Sequence, residues 1–107
     1  MTDSIKILAE IQGEVVTFKS LIRHPMETGQ RRDEQTGELI PAHFIREVTV
    51  EHMGRVVMTA LWGTGISANP YLSFKFRGAK AGDPVRLSWV DNRGASDSLL
   101  AEITAAD

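Results

Sequence analysis

Histidine is the commonest transition-metal ligand, so His24, His43 and His52 are the first residues to test for chemistry. Their separations of 19 and 9 residues match no local metal-binding motif. His43 and His52, if carried on one strand, differ by an odd number and point from opposite faces. The chain contains no cysteine, which removes thiolate nucleophiles, disulfides, iron–sulfur ligation and cysteine-based zinc sites. Only carboxylates or Met26 could complete a metal site, so neither a metal nor any other cofactor is expected. Serines and threonines abound, yet none falls in a nucleophile elbow or a Ser-x-x-Lys pattern. Asp33 and Glu34 are neighbours in a polar stretch, a placement that suits solvation better than paired acid–base work. The glycines form no phosphate-binding fingerprint, and no helical pattern follows them. These residues alone do not make an enzyme.

Arg23, Arg31 and Arg32 gather with His24 in RHPMETGQRRDEQTGELIPAH, residues 23–43. Two readings stand. The loop is a solvated basic stretch balanced by Glu27, Asp33 and Glu34, or its guanidinium forks form a contact surface for carboxylate or sulfate-like oxygens. A connection of this length without its own secondary structure is uncommon, and is usually functional or disordered.

Period-two alternation dominates the elements that must position these residues, and it argues for strands. Ile5, Ile7, Ala9 and Ile11 share one face, with Lys6 and Glu10 on the other. Val16, Phe18 and Ile22 follow after Gln12–Gly13. Beyond the long loop, Phe44, Val48 and Val50 alternate with Glu47, Thr49 and Glu51. Met53–Gly54 turns the chain into RVVMTALW, residues 55–62. GTGISANP is a second loop, after which Leu72, Phe74 and Phe76 point inward. Val85, Leu87 and Trp89 share the inner face of the next strand, and Asp91–Asn92–Arg93–Gly94 is a hairpin turn. SDSLLAEITA closes the series. About seven short strands without a convincing helix predict an all-β, immunoglobulin-like antiparallel β-sandwich, one domain over residues 1–107. A small barrel is the alternative.

One strand breaks the half-buried rule. In RVVMTALW, Val56, Met58, Ala60 and Trp62 fall on one face, and Val57 and Leu61 on the other. A sandwich strand with two apolar faces either lies under the long loop or meets a partner protein.

The net charge of −2 gives no general attraction to nucleic acid or to an anionic membrane. No apolar run approaches the roughly 20 residues of a membrane span. MTDSIKILAEI lacks a basic n-region, so no secretory signal is expected.

The strings HPMETGQRRD, EVTVEHMGRVV, WGTGISANPYLSFKF and GDPVRLSWVDNRG, in this order over essentially the full length, closely resemble the SoxZ family. SoxZ is the small subunit of the SoxYZ carrier in bacterial thiosulfate oxidation. The resemblance implies an immunoglobulin-like, non-catalytic scaffold that forms a heterodimer with SoxY. That partner bears a C-terminal cysteine arm on which sulfur intermediates are carried. The arm visits a c-type cytochrome that loads thiosulfate, a dimanganese hydrolase that releases sulfate and a molybdenum–haem sulfane dehydrogenase. The resemblance further implies a periplasmic site of action, reached by export together with the signal-bearing partner. Val57, Leu61 and Trp62 on the two-faced strand, and His24, Met26 and Arg31 in the loop, are the candidate partner-binding residues. The loop also has a purely structural reading, with Pro25 and Gly29 fixing its path and Met26 filling the end of the core. A ligand-binding module using Tyr71 and Trp62 is the alternative function, and an enzyme with His24 as general base is the third.

Overall fold

The computed structural model describes residues 4–106, and they form no helix. Eight strands follow one another: β1 (Ile5–Gln12), β2 (Val15–Ile22), β3 (Ile45–His52), β4 (Arg55–Leu61), β5 (Tyr71–Arg77), β6 (Pro84–Asp91), β7 (Ser96–Glu102) and the two-residue β8 (Thr104–Ala105). They pair into two four-stranded sheets, β5-β2-β1-β8 and β4-β3-β6-β7. Every pair is antiparallel except the short β1–β8 contact. This is the immunoglobulin-like sandwich the alternation predicts, with one small strand more than expected.

The inward faces make the core. Val16, Phe18, Ile22, Ile45, Val48, Val50, Val85, Leu87 and Ile103 are fully shielded, and Phe18 meets Phe74 with ring centroids 5.0 Å apart. Burying a side chain of this size stabilises the fold by about 1.5–3 kcal/mol. Met53 and Gly54, both at positive φ (53° and 80°), give the β3–β4 hairpin its tight two-residue turn. The sandwich is closed where β1 packs on β7. Towards the β4 and β5 edges the inward Met58, Ala60, Leu72, Phe74 and Phe76 are only partly buried.

Two β-bulges change which residues face inward. On β3, Ile45 pairs with Asp91 and Glu47 with Val90, leaving Arg46 as the extra residue. The extra residue reverses the alternation, so Ile45 takes the core position that strict parity gives to half-buried Phe44. On β4, Val50 pairs with Met58 and Glu51 with Val56, leaving Val57 unmatched. Val57 therefore packs against the core, and Val56 turns outward, 51% exposed. The sequence reading placed these two valines the other way round.

The 23–44 connection has structure of its own. Glu27 and His43 exchange backbone hydrogen bonds of 2.7 and 3.0 Å, and the Ile40 amide donates to the Arg31 carbonyl at 2.8 Å. Isolated bridges join Glu27 to His43 and Arg32 to Leu39. Gly29, at φ 87°, comes so near Ala42 that a Cβ there would lie 3.1 Å from the alanine methyl. The connection is thus a doubled-back arm, and Val56 and Leu61 of β4 remain exposed, 51% and 77%.

Candidate functional site

His24 lies two residues beyond the end of β2, and its ring is carried inward by the residues that follow. Met26 adopts φ 52°, a conformation few non-glycine residues take. Its amide donates to His24 Nδ1 at 3.3 Å, and its Sδ accepts from the Ile45 amide at 3.3 Å. His24 and Met26 are only 4% and 5% exposed. Asn69, on the second loop, accepts from the His24 amide through Oδ1 at 3.1 Å and donates its own amide to the His24 carbonyl at 2.8 Å.

The buried ring meets Asp91 at the last position of β6. His24 Nε2 lies 3.1 Å and His43 Nε2 2.9 Å from the same Asp91 Oδ2. Asp91 Oδ1 accepts from the Arg93 and Ala95 amides, both at 2.9 Å, which fixes the β6–β7 turn. The two imidazoles meet edge to face at 4.4 Å, and His24 meets Trp89 at 5.2 Å. Burial alone pushes the Asp91 carboxyl up; the hydrogen bonds from His24, His43 and the two amides outweigh it and hold it below the ordinary carboxylate value.

His24, His43 and Asp91 bring three potential ligand atoms within 4.8 Å of one another, the convergence a metal ion requires. Their hydrogen bonding does not fit one. A neutral imidazole has one ring hydrogen. Because His24 Nδ1 accepts the Met26 amide, that hydrogen sits on Nε2 and points at Asp91. A metal on Nε2 would displace it and break the Met26 contact. Asp91 already accepts four hydrogen bonds, the full capacity of a carboxylate. The cluster is a clasp that ties the 23–44 arm and the 62–70 loop to the β6–β7 turn. Sequence reasoning missed it because the histidines come together through loop closure, and Asp91 was read only as a turn residue. His52 lies at the far end, 2.8 Å from Asp83 through Nε2; that bond holds Asp83 below its ordinary value.

The other candidates lie on surfaces. Arg31 makes a two-point contact with Glu27, at 2.6 and 3.1 Å, which lowers the Glu27 pKa and raises that of Arg31. Arg32 donates to the Gly37 carbonyl at 2.8 Å. Two of the loop's three guanidinium groups are therefore spent on stiffening the arm. Leu61 is 77% exposed, whereas Trp62 is half-buried and, like Val57, packs on the core. Trp62 and Tyr71 line a common depression of about 440 Å³ with Ile66 and Leu72. The structure thus brings His24 and Met26 together inside the clasp, and leaves Arg31, Leu61 and the depression outside it.

The fold and the site define an all-β, immunoglobulin-like sandwich with a hydrogen-bonded clasp at one end and apolar strand residues left open at the surface. Within that class the chain belongs to the SoxZ family: the family model described as sulphur oxidation protein SoxZ matches residues 5–101, nearly its whole length. It is a sulfur oxidation protein. No curated protein sequence matches it. Among solved structures it is similar to a superoxide reductase (neelaredoxin) from Ignicoccus hospitalis, with a TM-score of 0.66 at 16% identity over 97% of this chain and 81% of that one. A hypothetical protein from Pyrococcus horikoshii OT3 gives 0.66 at 15% identity over 94% and 87% of the two chains. At such identities the likeness shows the fold alone.

Proposed function

We propose that this chain is the non-catalytic scaffold of a two-subunit sulfur carrier. It binds a SoxY-type subunit, whose C-terminal cysteine holds the sulfur while the enzymes of thiosulfate oxidation act on it in turn. The observation that carries the reading is chemical. A SoxZ-family chain of 107 residues without one cysteine has no thiolate on which to hold sulfane or thiosulfonate sulfur.

The partner surface is centred on β4. Leu61 and Val56 are exposed on its outer side, while Met58 and Ala60 on its inner side, and Trp62 just beyond its end, are only partly buried. Permanent interfaces are more apolar than transient ones and commonly bury more than about 2,000 Å². We place the complex in the periplasm, exported as one unit with the signal-bearing partner. Coexpression with a tagged, cysteine-armed subunit tests the reading, followed by intact-mass analysis after thiosulfate loading. One-to-one copurification with the sulfur mass on the partner alone is expected. A sulfur adduct on this chain, or no complex, would overturn it.

A further inference from the structure

Among the described residues, the outer face of the β5-β2-β1 sheet carries a markedly one-sided charge arrangement. Three of the chain's four lysines, Lys6, Lys19 and Lys75, point outward there, joined by Arg77. They surround Leu8, Leu21 and Tyr71, which are 50%, 42% and 60% exposed. The register interleaves the two kinds of side chain. Lys6 stands opposite Leu21 and Leu8 opposite Lys19, while Leu21 continues across to Tyr71. Lys6, Leu8, Lys19, Leu21 and Tyr71 line a shallow, almost wholly apolar depression of about 280 Å³. Among the described residues, none of the four cations forms an ion pair. The half-buried Glu10 is the one carboxylate at the outward positions of these three strands. On the other sheet, by contrast, Glu47 and Glu51 offset Arg86.

Clustered, unneutralised cations repel one another and do nothing for the fold of the isolated chain. In a protein of net charge −2 they concentrate positive potential on one face. We infer that this face is a docking surface for an acidic protein surface with an apolar centre. The cations steer the encounter, and Leu8, Leu21 and Tyr71 supply the contact that desolvates. The apolar centre favours a protein over a phosphate polymer, which offers no apolar group to bury there. The net negative charge of the rest of the chain disfavours any polyanion broader than the face. The contact is a transient one, on the sheet opposite the strand proposed to hold the carrier subunit. The choice of probes below rests on the carrier reading.

The test uses the heterodimer with this chain either native or carrying K6E, K19E and K75E together. A second variant carries the three glutamine replacements, so that fold and charge effects separate. Affinity is measured against each purified enzyme that acts on the carried sulfur, in low and high salt, and against phosphatidylglycerol vesicles. Retention of the cysteine-armed subunit is measured in the same preparations. The expected result is a loss of roughly tenfold or more in affinity for at least one enzyme with the glutamate variant. The glutamine variant should lose less, salt should weaken only the native protein, and partner retention should not change. Unchanged affinity for every enzyme overturns the inference while leaving the carrier reading intact. So does charge-dependent binding to vesicles alone, or loss of the cysteine-armed subunit from the charge variants. Absence of that subunit from the native preparation overturns the carrier reading instead.

Discussion

His24 and Asp91 are 67 positions apart in the chain, and their side chains meet at 3.1 Å in a fully shielded contact. One carboxylate there satisfies two imidazoles and two backbone amides. Three loops at one end of the sandwich therefore depend on a single side chain.

Asp91→Asn tests that dependence. An amide presents one acceptor oxygen and an NH2, so whichever pair of donors faces the NH2 loses its partner. Breaking a buried, charge-assisted set of this kind costs about 2–5 kcal/mol. Urea unfolding at neutral pH measures it, and a change within about 0.5 kcal/mol, typical of a surface site, would mean that Asp91 is not the centre of the clasp.

The same residue predicts a pH dependence. Its carboxyl titrates below the ordinary carboxylate value in the folded chain. Stability from it is fully present above the unfolded value of about 3.9 and is lost as pH falls through the lower folded value. The stability gap between the native protein and Asp91→Asn should therefore close as the pH falls through and below about 4. A gap that widens as the pH falls below about 4 would reverse the sign of this argument.

Trp89 is 9% exposed, packs edge-on against His24 and donates through Nε1 to Ser4 Oγ at 3.3 Å. Trp89→Ala should cost about 3–5 kcal/mol. Equilibrium unfolding gives the figure directly, and less than about 1 kcal/mol would show the pocket collapsing without loss.

Leu61 and Val57 are four residues apart and predict opposite outcomes. Leu61→Asp sits on an exposed side chain and should leave the stability of the lone chain within about 0.5 kcal/mol, while weakening the heterodimer by several kcal/mol through an unmatched charge at the interface. Val57→Asp buries its charge against the core and should destabilise the chain itself. Partner affinity and thermal midpoint, measured side by side, separate the two. A Leu61→Asp chain that binds normally would move the interface off β4.

Zinc added to the purified chain should leave its thermal midpoint unchanged, as should prolonged chelation, because the His24 ring hydrogen is committed to Asp91. A midpoint raised by stoichiometric zinc, and not raised in Asp91→Asn, would convert the clasp into a metal site.

The sandwich was legible in the sequence because alternation is a local signal, and Phe18, Val48, Leu87 and Trp89 announce the inner faces by parity alone. The hairpin turn at Asp91–Gly94 was equally plain. Parity failed at Phe44/Ile45 and at Val56/Val57, since a bulge adds one residue to a strand and leaves no composition mark. The clasp was invisible for a different reason. Spacing rules find ligands on one element, whereas His24 and His43 come from the two ends of the 23–44 arm and Asp91 from the last position of β6.

The Val57 bulge has a bearing on solubility. β4 is an edge strand, and an edge with evenly spaced free amides and carbonyls invites strand addition from any passing chain, including another copy. An extra residue in mid-strand breaks that spacing and locally increases the twist. The strand can thus keep Leu61 and Val56 open to the side chains of a chosen partner while giving a poor template for uncontrolled backbone pairing. On the carrier reading proposed above, a subunit waiting for its partner is protected from fibre formation by an irregularity in the strand it offers.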